Sequence, residues 1–245
     1  MELRGRVALV TGAGRRLGRA LAVALGERAM RVAVHYNASA QGAGETARLV
    51  AEAGGEARVF GADLGTPDAP DRLVREVVDA FGALDVLVNS AAVMLRTPVG
   101  EVTAAQWDAM FALNLRAPFF LAQAAAPHMR SGRAGGAIVN VADLAAFETW
   151  PGYVPHGISK AGVVQMTRAL ARALAPAVRV NAVAPGAVLL PDDWDEGVAA
   201  RLAATTPLGR LGSPADVVGA VLYLLEADYV TGECIVVDGG RHVRK

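Results

Sequence analysis

Seven short apolar, β-branched runs, each separated from the next by a longer stretch, most of them rich in Ala, Leu and Arg, decide what this chain can fold into. The runs are Val7–Val10, Arg31–His35, Ala57–Phe60, Val86–Asn89, Ala137–Val141, Arg179–Val183 and Cys234–Val237. Most are continuously apolar rather than alternating, the pattern of strands buried on both faces of a parallel sheet. The stretches between them predict helices near 16–29, 41–54, 68–81, 104–130, 156–175 and 214–226. Strict alternation of strand and helix gives an α/β, Rossmann-like doubly wound sheet of about seven parallel strands with helices on both faces. Right-handed crossovers and the usual switch point give the expected order 3-2-1-4-5-6-7.

Residues 1–245 suit one domain of this kind, and no linker, repeat or shift in composition divides them. Hydrophobic residues are 53% and charged residues 20%, the balance of a globular and not a disordered chain. The formal net charge of +0 leaves no excess of Lys and Arg for a nucleic-acid surface. Polar Glu2, Arg4 and Arg6 interrupt residues 1–10, so no signal peptide is expected, and no apolar run approaches the ~20 residues of a membrane span. The single cysteine, Cys234, lies in the apolar run CIVV and reads as buried filler in a reducing, cytoplasmic compartment. No metal is expected. Residues 186–206 depart from the alternation, with Pro191, Asp192, Asp193, Trp194, Asp195 and Glu196 in an acidic segment. Such a segment after a strand's carboxyl end reads as an irregular substrate loop.

The first run leads into Thr11-Gly12-Ala13-Gly14-Arg15-Arg16-Leu17-Gly18, and a predicted helix follows at once. Glycines let the backbone approach a pyrophosphate, and the helix N-terminus adds free N–H groups and partial positive charge. That placement is a dinucleotide fingerprint. NAD-binding chains end the second strand with an acid for the ribose 2′-hydroxyl. Here the strand ends His35-Tyr36-Asn37-Ala38-Ser39, without one. Arg15, Arg16, His35, Asn37 and Ser39 suit a 2′-phosphate instead. Cations at a helix N-terminus oppose its dipole, and a bound anion resolves the conflict. NADP(H) is therefore the expected cofactor.

With these residues in place the chain resembles the short-chain dehydrogenase/reductase family over essentially its full length. Thr11–Gly18 resembles the family's cofactor loop, Asp63-Leu64 its adenine-contacting pair, and Asn89-Ser90-Ala91 its Asn-Asn-Ala-Gly stretch. Asn114 falls where the family has a structural and catalytic Asn. Pro185-Gly186, with Val188 close behind, matches the turn beside the nicotinamide, and Asp238-Gly239-Gly240 matches the family's C-terminal ending. Within the family it is most similar to pteridine and dihydromonapterin reductases. Arg16 replaces the second loop glycine, His35–Ala40 resembles their second strand's end, Asp143 takes the place of the catalytic Ser, and Asp238–His242 resembles their tail. The resemblance implies a small-molecule carbonyl, cyclic imine or pterin-like substrate and a homotetramer with 222 symmetry. It implies no nucleic-acid or membrane partner.

Of the 24 Lys and Arg residues only Lys160 and terminal Lys245 are lysine, so a compact ammonium is singled out at position 160. The family places its catalytic Tyr four residues before this Lys; here that residue is His156. His156 and Lys160 share a helix face. Lys160⁺ disfavours an imidazolium and Asp143⁻ favours it, so the pair Asp143 and His156 can donate the proton that accompanies hydride transfer. Tyr153, two turns from Lys160 if helical, and protonated Asp143 are alternative donors; a catalytically weak cofactor-binding protein is the remaining reading. Met94 stands where pteridine reductases carry an aromatic. His128 and His242 read as solvated, and Trp150 and Trp194 as core or rim filler.

Overall fold

The computed structural model describes residues 1–130, 135–190 and 196–243. Seven strands form one sheet: β1 (Val7–Val10), β2 (Arg31–Tyr36), β3 (Glu56–Gly61), β4 (Val86–Asn89), β5 (Gly136–Val141), β6 (Val178–Pro185) and β7 (Cys234–Val237). Their order is β3-β2-β1-β4-β5-β6-β7, and every pairing is parallel. This is the Rossmann-like order that the alternation predicts. The helices are α1 (Arg16–Glu27), α2 (Ala40–Glu52), α3 (Ala69–Phe81), α4 (Ala104–Phe111), α5 (Ala117–Arg130), α6 (Val154–Leu174), α7 (Glu196–Ala204) and α8 (Pro214–Glu226).

Side chains along a strand point alternately to the two faces. Val7 and Leu9 therefore join Leu73, Leu121 and Ile138 in one core. Ala8 and Val10 join Leu21, Leu25, Val32 and Leu224 in the other. Burial on both faces is what makes the runs continuously apolar in sequence. β1 has β2 on one side and β4 on the other, so the chain reverses direction across the sheet at β1. The loops at the carboxyl ends of β1 and β4 part there and leave a crevice.

Three expectations change. The helix expected over 104–130 is broken by a π-helical turn at Ala112–Arg116, which contains Asn114. The helix expected from 156 begins at Val154, because Pro155 lies in its first turn, where a missing N–H is harmless. Tyr153 then precedes the helix, with φ −140° and ψ 32°, and is not two helical turns from Lys160. Within 186–206, residues Glu196–Ala204 form α7, an Ala-rich helix that the preceding acidic run conceals. Trp194 and the rest of 191–195 lie outside the described residues.

Candidate active site

The carboxyl ends of β1, β2, β4, β5 and β6 surround a cleft of about 800 Å³, within the usual size of a cofactor pocket. Gly12, Arg15, Arg16, Leu17 and Gly18 line one end, with His35, Asn37, Ser39 and Leu64 beside them. Ala91, Asp143, His156, Lys160, Pro185, Gly186 and Val188 line the remainder. Gly12 has φ +66°, and a Cβ there would stand 2.9 Å from Ala91 Cα, so only glycine fits. The first turn of α1 carries no acid, and Arg15 is exposed just before it. A pyrophosphate suits this end: backbone approach is open, the helix N-terminus faces the cleft, and a cation stands beside it.

The other arginines have other duties. Arg19 donates to Gly14 O, Gly42 O and Thr46 Oγ1, and so holds the loop's shape. Arg16 adopts φ 52°, a left-handed conformation costing about 1–2 kcal/mol for a residue with a Cβ. Its guanidinium donates to Leu189 O at 2.7 Å and to Leu190 O at 3.1 Å, tying the loop after β1 to the segment after β6. Those acceptors are backbone carbonyls and leave no mark in sequence.

His35 differs from its expected role as a phosphate ligand. It is 2% exposed, and both ring nitrogens are engaged within the protein. Nδ1 accepts from Gly12 N–H at 3.1 Å, and Nε2 lies 3.0 Å from Ala62 O. Burial lowers its pKa and keeps the ring neutral. Four further expected residues lie off the cleft lining. Asn89 donates to Asn140 Oδ1 at 2.8 Å, and Asn140 in turn donates to Thr167 Oγ1, a buried relay joining β4, β5 and α6. Asp63 is exposed and accepts from Gly65 N–H in a local turn. Tyr153 packs edge-on against Trp150, whose indole donates to Glu148. Asn114 is buried behind the cleft. His242 is exposed, as expected, and its Nδ1 also lies 2.7 Å from Asp238 Oδ2. Cys234, expected to be buried, is half-buried.

At the carboxyl ends of β4 and β5 the chemistry is concentrated. Asn114 Oδ1 accepts from Val93 N–H and its Nδ2 donates to Val93 O, both at 2.9 Å, while Nδ2 also lies 3.1 Å from Ser159 Oγ. The Val93 carbonyl, held in this way, lies 3.3 Å from His156 Nδ1. A carbonyl can only accept, so Nδ1 carries a hydrogen and Nε2 is the atom that gains or loses the second proton. Nε2 faces Asp143 Oδ2 at 3.6 Å and has no hydrogen-bond partner among the described residues. The His156 side chain is 3% exposed and that of Asp143 27%. Asp143 Oδ1 accepts from Ala145 N–H at 2.8 Å, which fixes the carboxylate. Lys160 donates to Val141 O at 2.8 Å. Burial pulls its ammonium down to about 8, against the opposing pull of Asp143. Val93, Met94, Ser90 and Leu113 also line the cleft. The rule that ligands bind at strand carboxyl ends points to the first three.

The sheet order, the glycine loop and the cleft at the switch point define a dinucleotide-binding oxidoreductase fold. The family model described as enoyl-(acyl carrier protein) reductase matches residues 12–242. The chain is 33% identical to 3beta-hydroxysteroid dehydrogenase 1 of Eggerthella lenta, covering 98% of this chain and 94% of that protein. It is 35% identical to the 3-oxoacyl-[acyl-carrier-protein] reductase of Synechocystis sp., covering 97% of each. The crystal structure of the angucycline C-6 ketoreductase LanV with bound NADP superimposes with a TM-score of 0.91 at 35% identity, over 99% of this chain and 98% of that one. This chain belongs to the short-chain dehydrogenase/reductase family.

Proposed function

We propose that the chain is an NADP(H)-dependent reductase of a small-molecule carbonyl compound, with the proton supplied by the pair Asp143 and His156. The observation that carries this reading is the approach of His156 Nε2 to Asp143 Oδ2 at 3.6 Å, with Lys160 lining the same cleft. The relatives' names describe reductases and dehydrogenases of keto and hydroxy groups, and the LanV structure holds NADP. The glycine loop would hold the pyrophosphate, Arg15, Asn37 and Ser39 the 2′-phosphate, and Lys160, Pro185, Gly186 and Val188 the nicotinamide end. When bound, the cofactor supplies hydride to the acceptor carbon.

The protein's own part is the proton. Nε2 is covered, whereas Asp143 is the member of the pair open to the cleft. The proton therefore passes from Nε2 to Asp143 Oδ2 and on from that oxygen to the oxygen made negative by hydride arrival, which leaves the imidazole neutral and Asp143 a carboxylate again. Lys160⁺ stabilises the charge developing there. The pair is refilled from water through the cleft. Tyr153, packed outside the lining, has no part in this route. A cyclic imine such as a pterin ring is the second acceptor class. It is supported by the likeness at Arg16, His35–Ala40 and Asp143, and by a carboxylate at the cleft that can accept from a ring N–H.

The test is binding and turnover together. Calorimetry should give NADPH at least tenfold tighter binding than NADH, about 1.4 kcal/mol or more. NADPH oxidation should then be followed with ketone, quinone and dihydropterin panels. Equal binding of the two dinucleotides, or tight NADPH binding without reduction of any acceptor, overturns the proposal.

A further inference from the structure

We propose that His35 is a positioning residue, a latch that ties the Gly12 turn to the end of β3 and sets the cofactor loop without touching the cofactor's phosphates. The inference rests on the NADP(H) reading above. Gly12 N–H can only donate, so His35 Nδ1, 3.1 Å away, is a lone pair. Ala62 O can only accept, so Nε2, 3.0 Å away, carries the hydrogen. The two contacts select one neutral tautomer. A second proton would set N–H against N–H at Gly12, and burial opposes it as well.

The backbone adds a third tie. Ala13 N–H donates to His35 O at 2.8 Å, so residue 35 holds the peptides on both sides of Gly12. Ala62 lies just past the end of β3, and its own N–H donates to Tyr36 O at 3.0 Å. One buried ring thus joins the carboxyl ends of β1, β2 and β3, where the adenosine half of a dinucleotide would lie. The loop it braces leaves little room, because Gly12 already sits against Ala91. Two consequences follow for the cofactor. Gly12 N–H is taken by His35, so phosphate oxygens must draw on the N-terminus of α1 and on Arg15. The ring's one N–H is given to Ala62 O, so it has no donor left for a 2′-phosphate.

The test compares full-length wild type with His35→Leu, His35→Asn and His35→Gln by calorimetry against NADPH and NADH. His35→Leu should weaken both dinucleotides by the same factor, about tenfold or more, because a buried donor and acceptor lose their partners. Asn sets an acceptor oxygen where Nδ1 stands and should recover affinity to within ~3-fold. Gln reaches toward Ala62 but not Gly12 and should not. A purely structural role would lower affinity and stability in all three alike, which overturns the proposal. A loss confined to NADPH overturns it too, since His35 would then touch the 2′-phosphate; so does unchanged affinity in His35→Leu. Should His35→Leu fail to fold, the contrast between Asn and Gln decides. Imidazole ¹⁵N spectra of the wild type give an independent readout: the Nε2–H tautomer supports the latch, and an Nδ1–H or doubly protonated ring overturns it. Wild type that binds neither dinucleotide overturns the cofactor reading, and the latch with it; that outcome is separable because it needs no variant.

Discussion

His156 and Asp143 carry the proposed proton route. An imidazole at this position needs a proton on Nε2, and Asp143 Oδ2 stands 3.6 Å away to take it. Asp143→Asn keeps the shape but removes the carboxylate that passes the proton on, so turnover should fall with NADPH affinity nearly intact. His156→Phe should lower turnover by about 10²–10⁴-fold with NADPH affinity nearly intact. Normal turnover in Asp143→Asn or in His156→Phe contradicts the assignment. Lys160 makes a separate prediction, about stability. Its folded value of about 8 lies below the 10.5 of an unfolded lysine. Below pH 8 both states are protonated and the full burial penalty is present. Between 8 and 10.5 the unfolded state holds more protons, so stability rises with pH. A depression from 10.5 to about 8 corresponds to roughly 3 kcal/mol. Urea unfolding of the cofactor-free wild type, minus that of Lys160→Met, should show a rise of this order across the window. A flat difference would mean that Lys160 is solvated.

Among the elements, strands were legible to within two or three residues at either end. Burial on both faces writes a continuous apolar run, and Val7–Val10, Val86–Asn89 and Cys234–Val237 match their sequence limits. What the sequence hides is local geometry. The π turn around Asn114 has no compositional sign, because its residues, ALNLR, suit an ordinary helix. α7 was masked by the acidic residues that precede it. At the site, the glycine loop and Lys160 could be read from residue types and position, and Asp143 and His156 only through the family resemblance. The direction of His35 and the tautomer of His156 depend on backbone carbonyls and amides that every residue possesses. β7 carries a prediction of its own. It is an edge strand with each residue half-exposed, yet burial and the Glu233 carboxylate push the Cys234 thiol up to about 11 from 9.0. Since the thiolate is the reactive form, native labelling near pH 7 should run about 100-fold slower than in the unfolded chain. Equal rates in the folded and unfolded states would show that the raised value is wrong.

Over the whole molecule, the two faces of the sheet are covered, but one outer surface remains apolar. Phe119 and Phe120 on α5 are each 40% exposed and meet edge to face, with ring centroids 5.3 Å apart. They border a groove that also includes Phe111, Leu115, Met166 and Leu170. Gly162 lies in the same groove on α6, where a Cβ would stand 2.9 Å from Leu115 Cδ2. Trp107 on α4 and Ile158 on α6 add exposed apolar area, at 38% and 46%. Exposed apolar surface of this kind suits an association face. Two such helices meeting their copies across a two-fold axis form a self-complementary contact, and the half-exposed β7 edge offers a second. Both together would generate the 222 tetramer expected from the family resemblance. Light scattering at micromolar concentration should therefore give a tetramer for wild type. The double substitution Phe119→Glu, Phe120→Glu sets like charges against each other across the helix contact and should reduce the assembly to a dimer held at β7. A wild-type monomer, or a double variant that still runs as a tetramer, would show that the exposed phenylalanines serve some other purpose.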